Sequence, residues 1–146
     1  RQHVPVAADE SVRRAEDPLA VARAEAADVL VLKVQPLGGV RACLRIVEQT
    51  GLPVVVSSAL ETSVGLAAGV ALAAALPELP YACGLATAQL LDGDVVEAPL
   101  LPRGGAIPVR RPEPDLARLD AVRADVATRG RWEERAARVR ALLGRG

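Results

Sequence analysis

Val29-Leu-Val-Leu-Lys-Val34 is apolar at every position but one, the pattern of a strand buried on both faces rather than one alternating between core and water. Short runs of the same kind stand at Val4 to Ala8 and Pro53 to Val56, with a weaker one at Tyr81 to Leu85. Each reads as a buried strand. Helical stretches lie between them. Pro18 to Ala27 opens with Asp17 as N-cap and Pro18 in the first turn, and Val40 to Gln49 follows Gly38 and Gly39. Thr62 to Leu76 is a third helix, Ala-rich, whose Gly65 and Gly69 share one face and allow close packing on a sheet.

The spacing of these units is more informative than any one of them. Asp9, Lys33 and Ser57 each end a predicted strand and follow one another at intervals of 24 residues, and Gly84 ends the fourth 27 residues later. A repeat of strand, loop and helix at that interval is the unit of a parallel α/β fold, in which every crossover helix returns the chain to the same edge. All four strand ends then face one side. In a β/α barrel that side carries the active site, with single polar groups supplied by different strands. Four such units make half of an eight-unit barrel.

Residues 1–91 are therefore expected to form a partial β/α barrel, and 92–146 a C-terminal extension. From Asp92 to Pro114 the chain holds five prolines (Pro99, Pro102, Pro108, Pro112, Pro114) and the pair Gly104-Gly105, so it reads as an extended excursion over the surface. Helical periodicity returns at Asp115 to Arg129 and Trp132 to Leu143, with Leu116, Leu119, Val122 and Val126 on one stripe. These helices are expected to cover the barrel or to meet a capping domain outside this sequence.

Composition narrows the function. Eighteen basic residues balance eighteen acidic ones, so no net field draws the chain to nucleic acid or to an anionic membrane. One Trp, one Tyr and no Phe leave little to stack on bases. The longest apolar stretch, Val64 to Leu76, is about half of the roughly 20 residues that a membrane span requires. Cys43 and Cys83 lack metal or redox spacing and read as buried free thiols, which fits a cytoplasmic compartment. The chain opens on Arg1 and runs almost at once into a strand, so we expect it to begin inside a longer protein.

Lys33 is the only Lys among the eighteen basic residues and sits inside an apolar run. At a strand end beneath a barrel mouth its ammonium would be partly desolvated, suited to proton transfer or to contact with a reacting anion. A lysine snorkelling to a sheet edge gives the same pattern. Asp9 stands at the same level and offers a hard oxygen to a cation such as Mg2+, or simply a cap to the following loop. The hydroxyls of Ser57 and Ser58 could bind a carboxylate or cap a helix. Gly38 and Gly39 could present amides to an anion. His3, the one histidine, lies too near the terminus to build a Ser-His-Asp triad on.

In order and spacing, Val6-Ala-Ala-Asp-Glu-Ser11, Val31-Leu-Lys-Val-Gln-Pro-Leu-Gly-Gly39, Val54-Val-Val-Ser-Ser-Ala-Leu-Glu-Thr-Ser63 and Ala82-Cys-Gly-Leu85 closely resemble the o-succinylbenzoate synthases of the enolase superfamily. The likeness is strongest from Val4 to Leu91. It implies the C-terminal half of an enolase-type TIM barrel and a lyase reaction: Mg2+-assisted syn-dehydration of a succinylated hydroxycyclohexadiene carboxylate in menaquinone biosynthesis. By resemblance Asp9 matches the third of three metal carboxylates. Lys33 matches the lysine that faces the intermediate opposite the acid/base lysine. Ser57, Ser58, Gly84 and Leu85 match the region holding the succinyl arm of the carboxylate substrate.

The sequence departs from that family by omission, since the capping domain, the first strands, the KxK pair and two metal carboxylates are absent. Alone, the chain is expected to be inactive. An N-acylamino acid racemase or a cycloisomerase of the same superfamily shares the metal and lysine framework, although Ser57-Ser58 favours the synthase. A third reading is a non-enzymatic half-barrel that covers its open edges by self-association. The partners expected are a missing N-terminal half, or a second copy, and a small carboxylate, with neither nucleic acid nor membrane.

Overall fold

The computed structural model describes residues 4–14 and 16–144; His3 lies outside them. Three parallel strands, β1 (Ala7–Ala8), β2 (Val29–Lys33) and β3 (Val54–Ser57), lie side by side in chain order. They alternate with α1 (Asp17–Arg23), α2 (Val40–Thr50) and α3 (Ser63–Ala75). The register sets Ala8 against Leu30, Leu32 against Val56 and Lys33 against Ser57. A single parallel bridge from Ser57 to Gly84 adds the fourth unit. Sequential parallel neighbours with a helix in each connection are the arrangement expected of consecutive barrel units.

Burial along the strands explains how the sheet is held. Leu30, Leu32, Val54 and Val56 are buried, whereas Val31, Lys33, Val55 and Ser57 are only partly so. Side chains alternate across a strand, so the first set shares one face of the sheet and the second set the other. The first face bears the helices: Leu66, Val70 and Leu72 of α3 and Cys43 and Ile46 of α2 join it in one core cluster. A fully buried leucine contributes roughly 1.5–3 kcal/mol. Gly69 is what lets α3 sit close, because a Cβ there would meet Leu85 Cδ2 at 2.8 Å and Val56 Cγ1 at 3.9 Å. Gly65, expected to serve the same contact, instead faces Glu61 at the helix's own entry.

Several expected elements are shorter than the sequence implied. The strand read over Val4 to Ala8 is reduced to Ala7–Ala8, because it pairs on one side only and Pro5 has no N–H to give. The strand read over Tyr81 to Leu85 is reduced to its bridge at Gly84, although Gly84 N donates to Val56 O (2.9 Å) and Ser58 N to Gly84 O (3.1 Å). The first helix stops at Arg23, since Ala24 caps it and Glu25 takes a left-handed φ of 49°. Its N-cap is Glu16; Asp17 instead accepts Arg14 N at 2.8 Å.

After the short 3-10 turn Thr87–Leu90, which the sequence did not foretell, the extension runs over the outside of α3 and buries Val96 and Leu100. The two final helices are α4 (Leu116–Ala121) and α5 (Val126–Leu143). Their break falls at Val122 to Asp125 rather than at Gly130 and Arg131, because Asp125 caps α5 by accepting Thr128 N at 2.6 Å. The stripe of Leu116, Leu119, Val122 and Val126 is consequently interrupted, and all four side chains are exposed. Among the described residues no helix is long and apolar enough to cross a membrane.

Candidate functional site

The polar residues that end the strands meet at one edge of the sheet. Lys33 Nζ donates to Asp9 Oδ1, joining the end of β2 to the residue that follows β1. The two are unequally placed, the Lys33 side chain being 16% exposed and that of Asp9 42%. The ammonium is therefore sheltered while the carboxylate opens to solvent. One strand further, Ser57 lies in register with Lys33 on the same face. Its hydroxyl donates to Gly84 O at 3.3 Å. Asp9, Lys33, Ser57 and Gly84 thus form a continuous row across four successive units.

Ser58 belongs to the other face. It is buried, and its hydroxyl lies 3.3 Å from Gly84 O and 2.6 Å from Thr87 Oγ1. This network fixes the turn that follows Gly84. Leu85 is buried against Gly69 of α3, so it packs in the core beneath the row rather than lining it. Close approach at Gly84 is obligatory, because a Cβ there would stand 2.7 Å from Ser57 Oγ.

Two participants were not singled out from the sequence. Thr87 holds Ser58 from the 3-10 turn, and Gln35, two residues beyond Lys33, donates from Nε2 to Gly65 O at 3.1 Å, tying the loop after β2 to α3. The signal for Gln35 was its place in the loop just after a strand end. Thr87 had none, since it depends on a turn that Gly84 and its neighbours do not announce. Gly38 and Gly39, by contrast, do not offer amides to an anion: Gly38 N donates to Gln35 O at 3.3 Å and Gly39 N to Val34 O at 2.9 Å. Their φ values of 90° and 110° serve the tight entry to α2.

Elsewhere the chemistry is structural. Cys43 and Cys83 are free; Cys43 is fully buried and Cys83 half-buried. Burial raises the Cys43 thiol from 9.0 to about 11. Among the described residues no group of three or more His, Cys, Asp or Glu is placed to hold a metal. Asp9 is a partly exposed oxygen donor at the open edge, able to supply one ligand of a larger set.

Parallel strands, crossover helices and polar groups gathered at the strands' C-terminal ends define a portion of a β/α-barrel protein. The enolase C-terminal domain-like family matches residues 1–116, and the chain belongs to that family. It is 68% identical over 141 residues to an o-succinylbenzoate synthase of Thermobifida fusca, a match covering 97% of this chain and 44% of that protein. With o-succinylbenzoate synthases of Mycobacterium tuberculosis and Mycobacterium leprae it shares 54% identity over 143 residues, covering 98% of the chain and 44% and 42% of those proteins. The chain thus spans less than half the length of the curated relatives it matches. Among solved structures, muconate cycloisomerase of Pseudomonas fluorescens superposes with a TM-score of 0.77 at 31% identity, over 84% of this chain and 36% of that one. Muconate lactonizing enzyme of Pseudomonas putida gives 0.75 at 29% identity, over 83% and 36%.

Proposed function

We propose that the chain is the C-terminal barrel portion of an o-succinylbenzoate synthase, a hydro-lyase that removes water from a succinylated hydroxycyclohexadiene carboxylate on the way to menaquinone. The observation that supports this most is the pairing of Lys33 with Asp9 at the edge where the strands end, next to Ser57 and Gly84. The identity of 54–68% to synthases favours that activity over the cycloisomerase reading, which rests on structural neighbours at 29–31% identity.

In this reading Lys33 is the catalytic residue. Loss of a proton beside a carboxylate builds negative charge, and a sheltered ammonium stabilises such charge more than one in water would. Asp9 orients Lys33 through their ion pair and is, among the described residues, the one proposed metal ligand; its hard oxygen fits Mg2+, and further ligands would complete the set. When bound, the cation supplies positive charge to the substrate carboxylate. Ser57 Oγ faces the succinyl arm. Gly84, without a side chain, leaves that hydroxyl its place, while Ser58 and Leu85 hold the backbone of the same segment from behind. Residues 92–146 act as a C-terminal extension, whose first part is bound to Ser63 of α3 by Asp94 and Leu100. The acid/base group belongs to the missing half, so the isolated chain is inactive. Unpaired thiols and balanced charge suit a cytoplasmic location.

The test is a chimera in which residues 4–144 replace the corresponding part of the Thermobifida fusca relative. We expect Mg2+-dependent dehydration, followed by the absorbance of the aromatic product, and loss of about three orders of magnitude in kcat for Lys33→Ala with the fold retained. A folded chimera that racemises N-acyl amino acids or forms lactones but does not dehydrate would overturn the assignment.

A further inference from the structure

The loop that leads from Ser58 to α3 is held in a strained shape. Leu60 takes a φ of 72°, a left-handed conformation that a leucine rarely adopts, and the Glu61 side chain folds back so that its Oε1 accepts Ala59 N at 3.0 Å. Such strain persists where the surroundings fix both ends of a segment, and it collects at functional sites. One end here is fixed by Ser58, through Gly84 O and Thr87 Oγ1. The other is the first turn of α3, which is gripped from two sides. From the extension, Asp94 accepts Ser63 N and Ser63 Oγ. From the loop that follows Lys33, Gln35 donates through Nε2 to Gly65 O at 3.1 Å. A Cβ at Gly65 would stand 2.8 Å from Glu61 Cβ, so this turn accommodates the folded Glu61 because its backbone is bare.

Gln35 thus joins the loop after one strand end to the loop after the next. Its own loop is compact: Lys33 O accepts Leu37 N at 3.4 Å, Val34 O accepts Gly39 N at 2.9 Å, and Leu37 is 1% exposed. We propose that Gln35 is a positioning residue for the dehydration, an inference that rests on the synthase reading above. By tying the Lys33 loop to the entry of α3, it sets the spacing between the Lys33 ammonium and the Ser57 end of the row, where the succinyl arm is held. Gln35 is exposed, and one exposed hydrogen bond contributes little to stability. Its effect is geometric, since displacing a reacting group by about 1 Å can slow a reaction about 100-fold. The residue type fits that task. A lysine or arginine could donate to the same carbonyl, but it would put a cation at the start of a helix, where it is disfavoured, and a second one two residues beyond Lys33. A carboxylate could not donate at all. The neutral amide makes the bond and leaves the charge of the row unchanged.

The test uses the chimera described above with Gln35→Leu, which removes the amide, and Gln35→Glu, which keeps the side-chain length but cannot donate when ionised. Each should lower kcat about 10-fold or more with KM within about 3-fold of the parent chimera, while the melting temperature moves by less than about 2 °C. Should Gln35→Leu disturb folding, Gln35→Glu decides the kinetics, because an anion is favoured at the start of a helix. In the 146-residue chain, Gln35→Leu should speed hydrogen exchange at the Gly38 and Gly39 amides about 3-fold or more, since opening the loop no longer breaks the tie. Variants that dehydrate as fast as the parent overturn the inference and leave the synthase reading standing. So does a loss of kcat that tracks the melting temperature in both variants, which would make Gln35 a prop of the fold, or an exchange rate that does not change. A folded parent chimera that fails to dehydrate overturns the synthase reading, and this inference with it.

Discussion

Replacing Asp94 by Ala should be the most damaging single change outside the apolar core. The reason lies at the start of α3, where Thr62 is the N-cap but makes no capping hydrogen bond with its side chain. The orphan donors there are satisfied from 31 residues away: Asp94 accepts Ser63 N at 3.0 and 3.2 Å and Ser63 Oγ at 2.5 Å. Ser63, at 0% exposure, in turn accepts Leu100 N at 2.7 Å. Removing the carboxylate strands two buried donors, each costing about 1–3 kcal/mol, and withdraws an anion from a helix N-terminus for about 0.3–1 more. Water entering the gap recovers part, so the net loss should be about 2–4 kcal/mol, or a fall in Tm near 10 °C for a chain of this size. Urea unfolding followed at 222 nm would measure it, with Ser63→Ala and the double variant completing a cycle. A coupling of at least about 1 kcal/mol is expected between residues sharing a hydrogen bond. A variant within about 0.5 kcal/mol of the parent, or strict additivity in the cycle, would refute the latch.

Other outcomes follow from the same geometry. Gly84→Ala puts a methyl 2.7 Å from Ser57 Oγ, so in the active chimera it should raise KM about 5-fold or more with a smaller change in kcat, read by steady-state kinetics. Burial holds the Cys43 thiol near pKa 11 in the fold against 9.0 when exposed; stability is therefore complete below pH 9 and falls as pH rises toward 11, by up to about 3 kcal/mol. Denaturant midpoints at pH 8 and 11 measure that loss, and Cys43→Ala should reduce the slope by Cys43's share. Hydrogen bonds from Thr128 hold the Asp125 carboxyl below its ordinary 3.8, so the cap of α5 is intact above that pH and lost as pH falls through the lowered value; Asp125→Ala should reduce far-UV helicity at neutral pH.

What the sequence made legible was the part governed by period. The interval of 24 residues set Asp9, Lys33 and Ser57 in one row, because a parallel unit returns the chain to the same edge each time and register is fixed by which residues the strands can bury. Helices α2 and α3 were legible for the same reason, one entered through Gly38 and Gly39 and the other Ala-rich, with Gly69 on its packed side. The ends of elements were not. The outer strands depend on a neighbour that pairs with their far edge, and no local propensity supplies it, so Val4 to Val6 and Tyr81 to Cys83 stay irregular. The Asp94 latch was hidden differently. It caps a helix from 31 residues away, and nothing in Thr62-Ser63 announces that the partner is remote.

The two faces of the sheet carry one more consequence. A run such as Val29 to Val34 is apolar on both sides, the composition of a strand covered twice, yet Val31 and Val55 remain partly exposed beside Lys33 and Ser57 while Leu30, Leu32, Val54 and Val56 are sealed under helices. The half-covered face is the one that carries the polar row, and in a closed barrel it would be the interior. Closing it would do two things at once. It would bury Val31 and Val55, each worth roughly 1.5–3 kcal/mol when fully covered, and it would exclude water from Lys33, which raises the electrostatic worth of its charge. Under the proposed function, stability and reactivity would therefore depend on the same contacts, and a barrel half that restored one without the other would contradict the proposed role of Lys33.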